Sequence, residues 1–118
     1  MKAAIGAAKQ LYPDKKVTGI FQPHLFTRTR DFADGFAESL DLLDECILLE
    51  IYPARELPIE GVTSKMLLDK MKLKQKHVVK KENLLAFLKD KPIEVLLTMG
   101  AGDIDKLVQP IEEMLKKR

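Results

Sequence analysis

Four short apolar segments alternate with stretches in which apolar residues recur every three or four positions. Val17-Thr18-Gly19-Ile20-Phe21, Cys46-Ile47-Leu48-Leu49-Glu50-Ile51, His77-Val78-Val79 and Ile93-Glu94-Val95-Leu96-Leu97-Thr98-Met99 read as strands, rich in β-branched and large apolar residues. Helical spacing marks Ala3 to Leu11 (Ile5, Ala8, Leu11), a stretch from near Thr29 (Phe32, Phe36, Leu40, Leu43), Val62-Thr63-Ser64 through Met71, Lys81 to Asp90 (Leu84, Leu85, Leu88), and a final run of Ile104, Leu107, Val108, Ile111, Met114 and Leu115. One helix followed by four strand-helix units predicts an α/β fold, a Rossmann-like three-layer sandwich with a mostly parallel sheet and helices on both faces. Residues 1–118 then form a single domain, which a chain of this length can build around one core.

Punctuation sharpens the boundaries. Tyr12-Pro13-Asp14 stops the first helix, Pro23 ends the first strand by removing an amide donor, and Pro92 ends the fourth helix. Thr27 or Thr29 is placed to cap the second helix, Thr63 or Ser64 the third and Asp103 the last. Pro110 predicts a kink or break near Val108-Gln109, and Lys116, Lys117 and Arg118 suit the C-terminal end of the last helix dipole. The unbroken apolar run from Cys46 suits a parallel strand covered on both faces, whereas the lysines around His77-Val78-Val79 suit an edge and make His77 a surface residue. The first helix begins at residue 1 with no cap and no preceding strand, which predicts that the chain is a piece of something longer.

Composition narrows the partners. Twenty basic and eighteen acidic residues are interspersed for a net charge of +2, so there is no single-sign field to attract nucleic acid or an anionic membrane. No apolar run reaches membrane-spanning length and no signal peptide is visible, which predicts a cytoplasmic protein. The lone Cys46 lies in an apolar run and reads as a buried, inert thiol of a reducing compartment.

If the strands are parallel, the segments Gln22 to Thr29, Tyr52 to Ser64 and Gly100 to Asp103 all lie at the carboxyl edge of the sheet, where open α/β folds bind ligands. His24, Arg28 and Arg30 crowd the first of them, and two guanidinium groups at a helix start favour an anion. Arg30 can pair with Asp34 at i, i+4, which leaves Arg28 without an obvious local partner. The second segment is long, carries Pro53, Pro58 and Gly61, and is flanked by Glu50, Arg55 and Glu56, where internal pairing explains the charges as well as a ligand does. Gly100-Ala101-Gly102 lacks the third glycine of a dinucleotide fingerprint and suits a tight turn better than a phosphate contact. No Gly-x-x-x-x-Gly-Lys-Ser/Thr loop occurs, and neither histidine has a partner at metal-ligand spacing. On these residues alone, a binding module for a small anionic ligand or a purely structural domain is also open.

The motifs Phe21-Gln22-Pro23-His24 with Phe26-Thr27-Arg28-Thr29-Arg30-Asp31, Ile51-Tyr52-Pro53-Ala54-Arg55-Glu56 with Pro58-Ile59 and Gly61-Val62-Thr63-Ser64, and Gly100-Ala101-Gly102-Asp103-Ile104 occur in that order. Together they resemble, along the whole chain, the C-terminal domain of the Mur ligase family, and within it the branch that adds L-alanine. The resemblance implies a cytoplasmic ligase of peptidoglycan synthesis, in which ATP and magnesium activate the carboxylate of UDP-N-acetylmuramate as an acyl phosphate for attack by L-alanine. It implies that the N-terminal UDP-sugar domain and the central ATPase domain are further partners, that a first strand and a His-His-Pro motif would precede this chain, and that this domain alone is inactive. Arg28 matches a family arginine associated with the alanyl carboxylate, and His24 the histidine beside it. Leu25 stands where the family often has a second arginine, which leaves Arg30 as a candidate to assist. Tyr52, Glu56 and Ser64 join the implied substrate-binding set as members of the second motif.

Overall fold

The computed structural model describes residues 1–117. In chain order it contains α1 (Lys2–Leu11), β1 (Val17–Gln22), α2 (Phe26–Leu40), β2 (Glu45–Leu48), α3 (Ser64–Lys70), β3 (Lys76–Val78), a 3-10 turn (Lys81–Asn83) leading into α4 (Leu84–Lys89), β4 (Val95–Gly100) and α5 (Ile104–Lys116). All strand pairs are parallel, in the order β3-β2-β1-β4, with Ile20 opposite both Ile47 and Thr98, and Ile47 opposite His77. The alternation of β1 divides the core in two. Val17 and Phe21 pack with Ile5 and Ala8 of α1, Ala33, Ala37 and Leu40 of α2, and Leu67 of α3. Ile20 and Ile47 pack on the opposite face with Leu84 and Leu88 of α4 and Ile104 and Ile111 of α5. Each such aliphatic side chain contributes about 1.5–3 kcal/mol through burial. This is the expected three-layer α/β sandwich. No helix among the described residues is long and apolar enough to cross a membrane.

Several boundaries differ from those expected, each for a physical reason. Helix α2 starts at Phe26, not near Thr29, and neither Thr27 nor Thr29 is its N-cap. Thr29 lies inside the first turn, where its hydroxyl donates to the Leu25 carbonyl at 2.8 Å. The helix is interrupted at Phe32 (φ −117°, ψ 19°), so this ring is 60% exposed and not inward-facing, and the apolar stripe resumes with Phe36 against Phe21 at 5.3 Å. Thr63 caps α3 by accepting from the Met66 amide at 3.1 Å, while the Ser64 hydroxyl turns inward and donates to the Leu49 carbonyl. Helix α5 runs unbroken through Pro110, because its buried stripe against α4 holds it across the one missing amide. Lys116 pairs with Glu112 at 3.1 Å, and Arg118 lies outside the described residues. Cys46 is buried as expected, and burial pushes its thiol up to about 12.

The largest surprise lies at the end of the sheet where the strands begin. Glu45, next to Thr18 across β1 and β2, is 1% exposed and faces Lys91 at 2.6 Å, His77 at 2.9 Å and Lys16 at 3.0 Å. Burial pushes its carboxyl up, but hydrogen bonds from Lys91, Lys16 and His77 outweigh burial and hold it below the ordinary range. His77 is therefore not plain surface. It is half-buried, edge-on to Phe87 at 5.0 Å, and Lys91 lies over the same ring.

Candidate functional site

The opposite end of the sheet is built from three loops. Beyond β1 the chain stays extended through His24, which forms a parallel bridge with Tyr52 beyond the end of β2. The Tyr52 amide donates to the Pro23 carbonyl at 2.9 Å and the Leu25 amide to the Tyr52 carbonyl at 2.8 Å. Leu25 then turns the chain into α2 with φ 72° and ψ 137°, a backbone region that side chains beyond glycine rarely occupy and that costs about 1–3 kcal/mol. Three hydrogen bonds hold it there: its own amide to Tyr52, and the Thr29 amide and hydroxyl onto its carbonyl.

The free amides at the start of α2 do attract an anion, and that anion belongs to the protein. Glu56, from the second loop, accepts from the Thr27 amide at 3.1 Å and from the Thr27 hydroxyl at 2.6 Å. The Thr27 hydroxyl first, then the amides of the helix start, hold the Glu56 carboxyl below its ordinary value. Arg30 pairs with neighbouring Asp31 at 2.9 Å and not with Asp34, which pairs with Lys70 on α3 at 3.1 Å.

The third loop closes against the other two by glycine. A Cβ at Gly102 (φ 116°) would stand 2.4 Å from the Tyr52 ring, and one at Gly100 (φ 99°) would stand 2.1 Å from the Gln22 carbonyl oxygen. Tyr52 is thus held between Gly102 and the His24 ring, which stacks on it at 5.7 Å and 14°. Gln22 ties all three loops together beneath the surface. Its amide nitrogen donates to the Glu50 carbonyl and to Asp103, and its oxygen accepts from the Ile104 amide at 2.8 Å. Gln22, not the Asp103 side chain, therefore caps α5. Burial pushes the Asp103 carboxyl up, but the Gln22 and Lys81 hydrogen bonds outweigh it and hold it low.

Between α1, α2 and β4 this junction encloses a cavity of about 450 Å³, lined by His24, Arg28, Phe21, Phe36, Met99 and Gly100 among others. Of the six residues proposed from sequence, His24 and Arg28 line it. Tyr52 backs His24, Glu56 is engaged at the start of α2, Arg30 is paired at the surface, and Ser64 lines a separate hollow of about 340 Å³ with Phe26, Glu50 and Thr63. Arg28 makes no hydrogen bond or ion pair among the described residues. Phe36, Met99 and Gln22 were not singled out by sequence for this site; the alternation of β1 and β4 was the available signal for Gln22 and Met99, whereas the interruption of α2 at Phe32 breaks the helical spacing between Arg28 and Phe36. A wider groove of about 750 Å³ between α4 and α5 holds none of these groups.

The glycine turn does not fit a phosphate cradle. The space its missing Cβ atoms leave is filled by Tyr52 and the Gln22 backbone, so the turn is packed shut against its own protein. Nor do three His, Cys, Asp or Glu side chains gather anywhere among the described residues.

Fold and site together define an α/β domain with a cavity at the carboxyl end of a parallel sheet, the edge at which open α/β folds bind ligands. No family model matches the chain. It is 56% identical over 111 residues, 94% of its length, to the UDP-N-acetylmuramate–L-alanine ligase of Flavobacterium johnsoniae. It is 55% identical over all 118 residues to that of Parabacteroides distasonis, and 50% identical over 117 residues to that of Porphyromonas gingivalis. The chain is thus related over its whole length to UDP-N-acetylmuramate–L-alanine ligases, and it spans about a quarter of the length of these relatives.

Proposed function

We propose that this chain is the C-terminal, amino-acid-binding domain of a cytoplasmic ligase that joins L-alanine to UDP-N-acetylmuramate in peptidoglycan synthesis. The observation that carries the reading is Arg28, a guanidinium unpaired among the described residues and facing an otherwise largely apolar cavity beside His24. A forked guanidinium binds a carboxylate through two parallel charge-assisted hydrogen bonds, the recognition that a free amino acid requires. ATP and magnesium would supply activation of the muramate carboxylate as an acyl phosphate, and groups outside this chain would hold them, along with the UDP-sugar. What this domain contributes is placement. Arg28 fixes the carboxylate of alanine, His24 borders it on a ring held by Tyr52, and the amine is left facing the mouth of the cavity, where an acyl donor can be attacked. Arg30, engaged with Asp31, leaves the carboxylate to Arg28 alone. The isolated domain has no groups for activation and is inactive in ligation.

Replacement of Arg28 by Ala in the complete ligase tests the reading. The loss of a charge-assisted pair, about 1.5–3 kcal/mol, corresponds to a rise in the KM for L-alanine of about ten- to a hundredfold. An unchanged KM together with an unchanged rate would remove Arg28, and with it this assignment.

A further inference from the structure

We propose that Phe36 and Met99 read the side chain of the amino acid that Arg28 holds, selecting an apolar group over a polar one; this rests on the amino-acid-binding reading above. An α-amino acid presents three substituents to a site. Among the described residues Arg28 carries the only permanently charged side chain in the cavity lining, so it takes the carboxylate. No carboxylate of the described residues lines the cavity, and the Gln22 side-chain amide is engaged with Glu50, Asp103 and Ile104, so the ammonium, with no ionic partner there, takes the open side. The side chain is left with the remaining wall. Phe21 is almost fully buried beneath Phe36, so the apolar surface there comes from Phe36 on α2 and Met99 on β4, together with Met1, Ala4 and Ala101. Phe36 and Arg28 stand on either side of the interruption at Phe32, and both line the cavity.

The selection is by polarity and not by fit. A cavity of about 450 Å³ lies in the range that holds much larger ligands, so volume alone does not exclude a side chain slightly bigger than methyl. A hydroxyl set against a thioether and a phenyl ring, however, gives up water and gains no hydrogen bond. Apolar walls reject an added hydroxyl by at most about a hundredfold.

The experiment is the ratio of kcat/KM for L-alanine to that for L-serine in the complete ligase. Met99→Gln, which offers the serine hydroxyl a partner, is expected to lower the ratio about tenfold. Phe36→Tyr, which adds one hydroxyl to the wall with little change in shape, is expected to lower it less, and it decides the question if the first variant does not fold. A ratio equal to that of the unaltered enzyme in the folded variants overturns the proposal. Arg28→Ala separates this from failure of the underlying site: it should weaken both amino acids alike and leave the ratio in place, whereas an unchanged KM for alanine overturns the site itself.

Discussion

Glu45, where the strands begin, is buried and answers to two lysines and His77; Arg28, where the strands end, is exposed and answers to no group among the described residues. Both ends of the sheet carry concentrated charge, and they treat it in opposite ways. At the first end, a buried carboxylate is met by partly exposed Lys16, His77 and Lys91, joining β1, β2, β3 and the α4–β4 connection. At the second, backbone strain at Leu25, packed glycines and a satisfied Gln22 supply rigidity, so that a guanidinium can be left unmatched beside an apolar wall. A domain that paired Arg28 internally, as it does Lys16 and Lys91, would border this cavity with a neutralised pair instead.

That contrast can be broken most severely at Glu45. Replacement by Ala leaves Lys16, Lys91 and His77 facing an empty, buried position. The expected loss is about 2–3 kcal/mol in chemical denaturation, at the lower end for a buried pair because Lys16, His77 and Lys91 are 21–36% exposed and can turn to water. Acid should expose the same device. A carboxyl held below its ordinary value of 4.5 contributes stability that is present above that pH and is lost as the pH falls through the folded-state value. The Glu45→Gln variant should therefore show a flatter loss of stability below about pH 4.5, and an unchanged slope would assign the acid sensitivity elsewhere.

Gly102→Ala sharpens the contrast from the other side. The new Cβ meets the Tyr52 ring and sits at a φ of 116°, so a loss of about 2 kcal/mol is expected, accompanied by a raised KM for L-alanine in the complete ligase as Tyr52 and His24 move. Gly6, where an added Cβ meets nothing within 4 Å, is the control, since Gly6→Ala lies within α1 and should stabilise slightly. The smallest effect belongs to Glu56→Gln. It keeps the Thr27 contacts but removes the negative charge at the start of α2, so the melting temperature should barely change, and a large drop would mean that Glu56 organises the loop through its charge.

The fold was legible because its signals are local. Apolar runs such as Cys46 to Ile51, the Pro23 and Pro92 stops and the stripe on α5 depend on neighbours in sequence, and so does the convergence of three loops once the strands are parallel. What escaped depends on residues far apart in the chain. The cap of α2 comes from Glu56, 29 residues after Thr27, and the cap of α5 from Gln22, 82 residues before Ile104. Phe32 carries the helical spacing of an inward residue, but the positive φ of Leu25 starts the helix early and the interruption at Phe32 turns the ring outward. His77 was misread because its partner Glu45 gives no sign in sequence of being buried. Arg28 was legible for the opposite reason: no nearby residue explains it.

Strand β4 is an outer strand of six residues, Val95 to Gly100, with no charge, no proline and, among the described residues, only β1 at its side. Strand β3, at the other margin, is half as long and flanked by lysines. An unguarded strand rim is a template for another chain, because its outer amides and carbonyls lack partners. In concentrated solution, this chain by itself should therefore begin to aggregate along β4, and a single lysine at Thr98, whose side chain is exposed, is the simplest way to keep it dispersed.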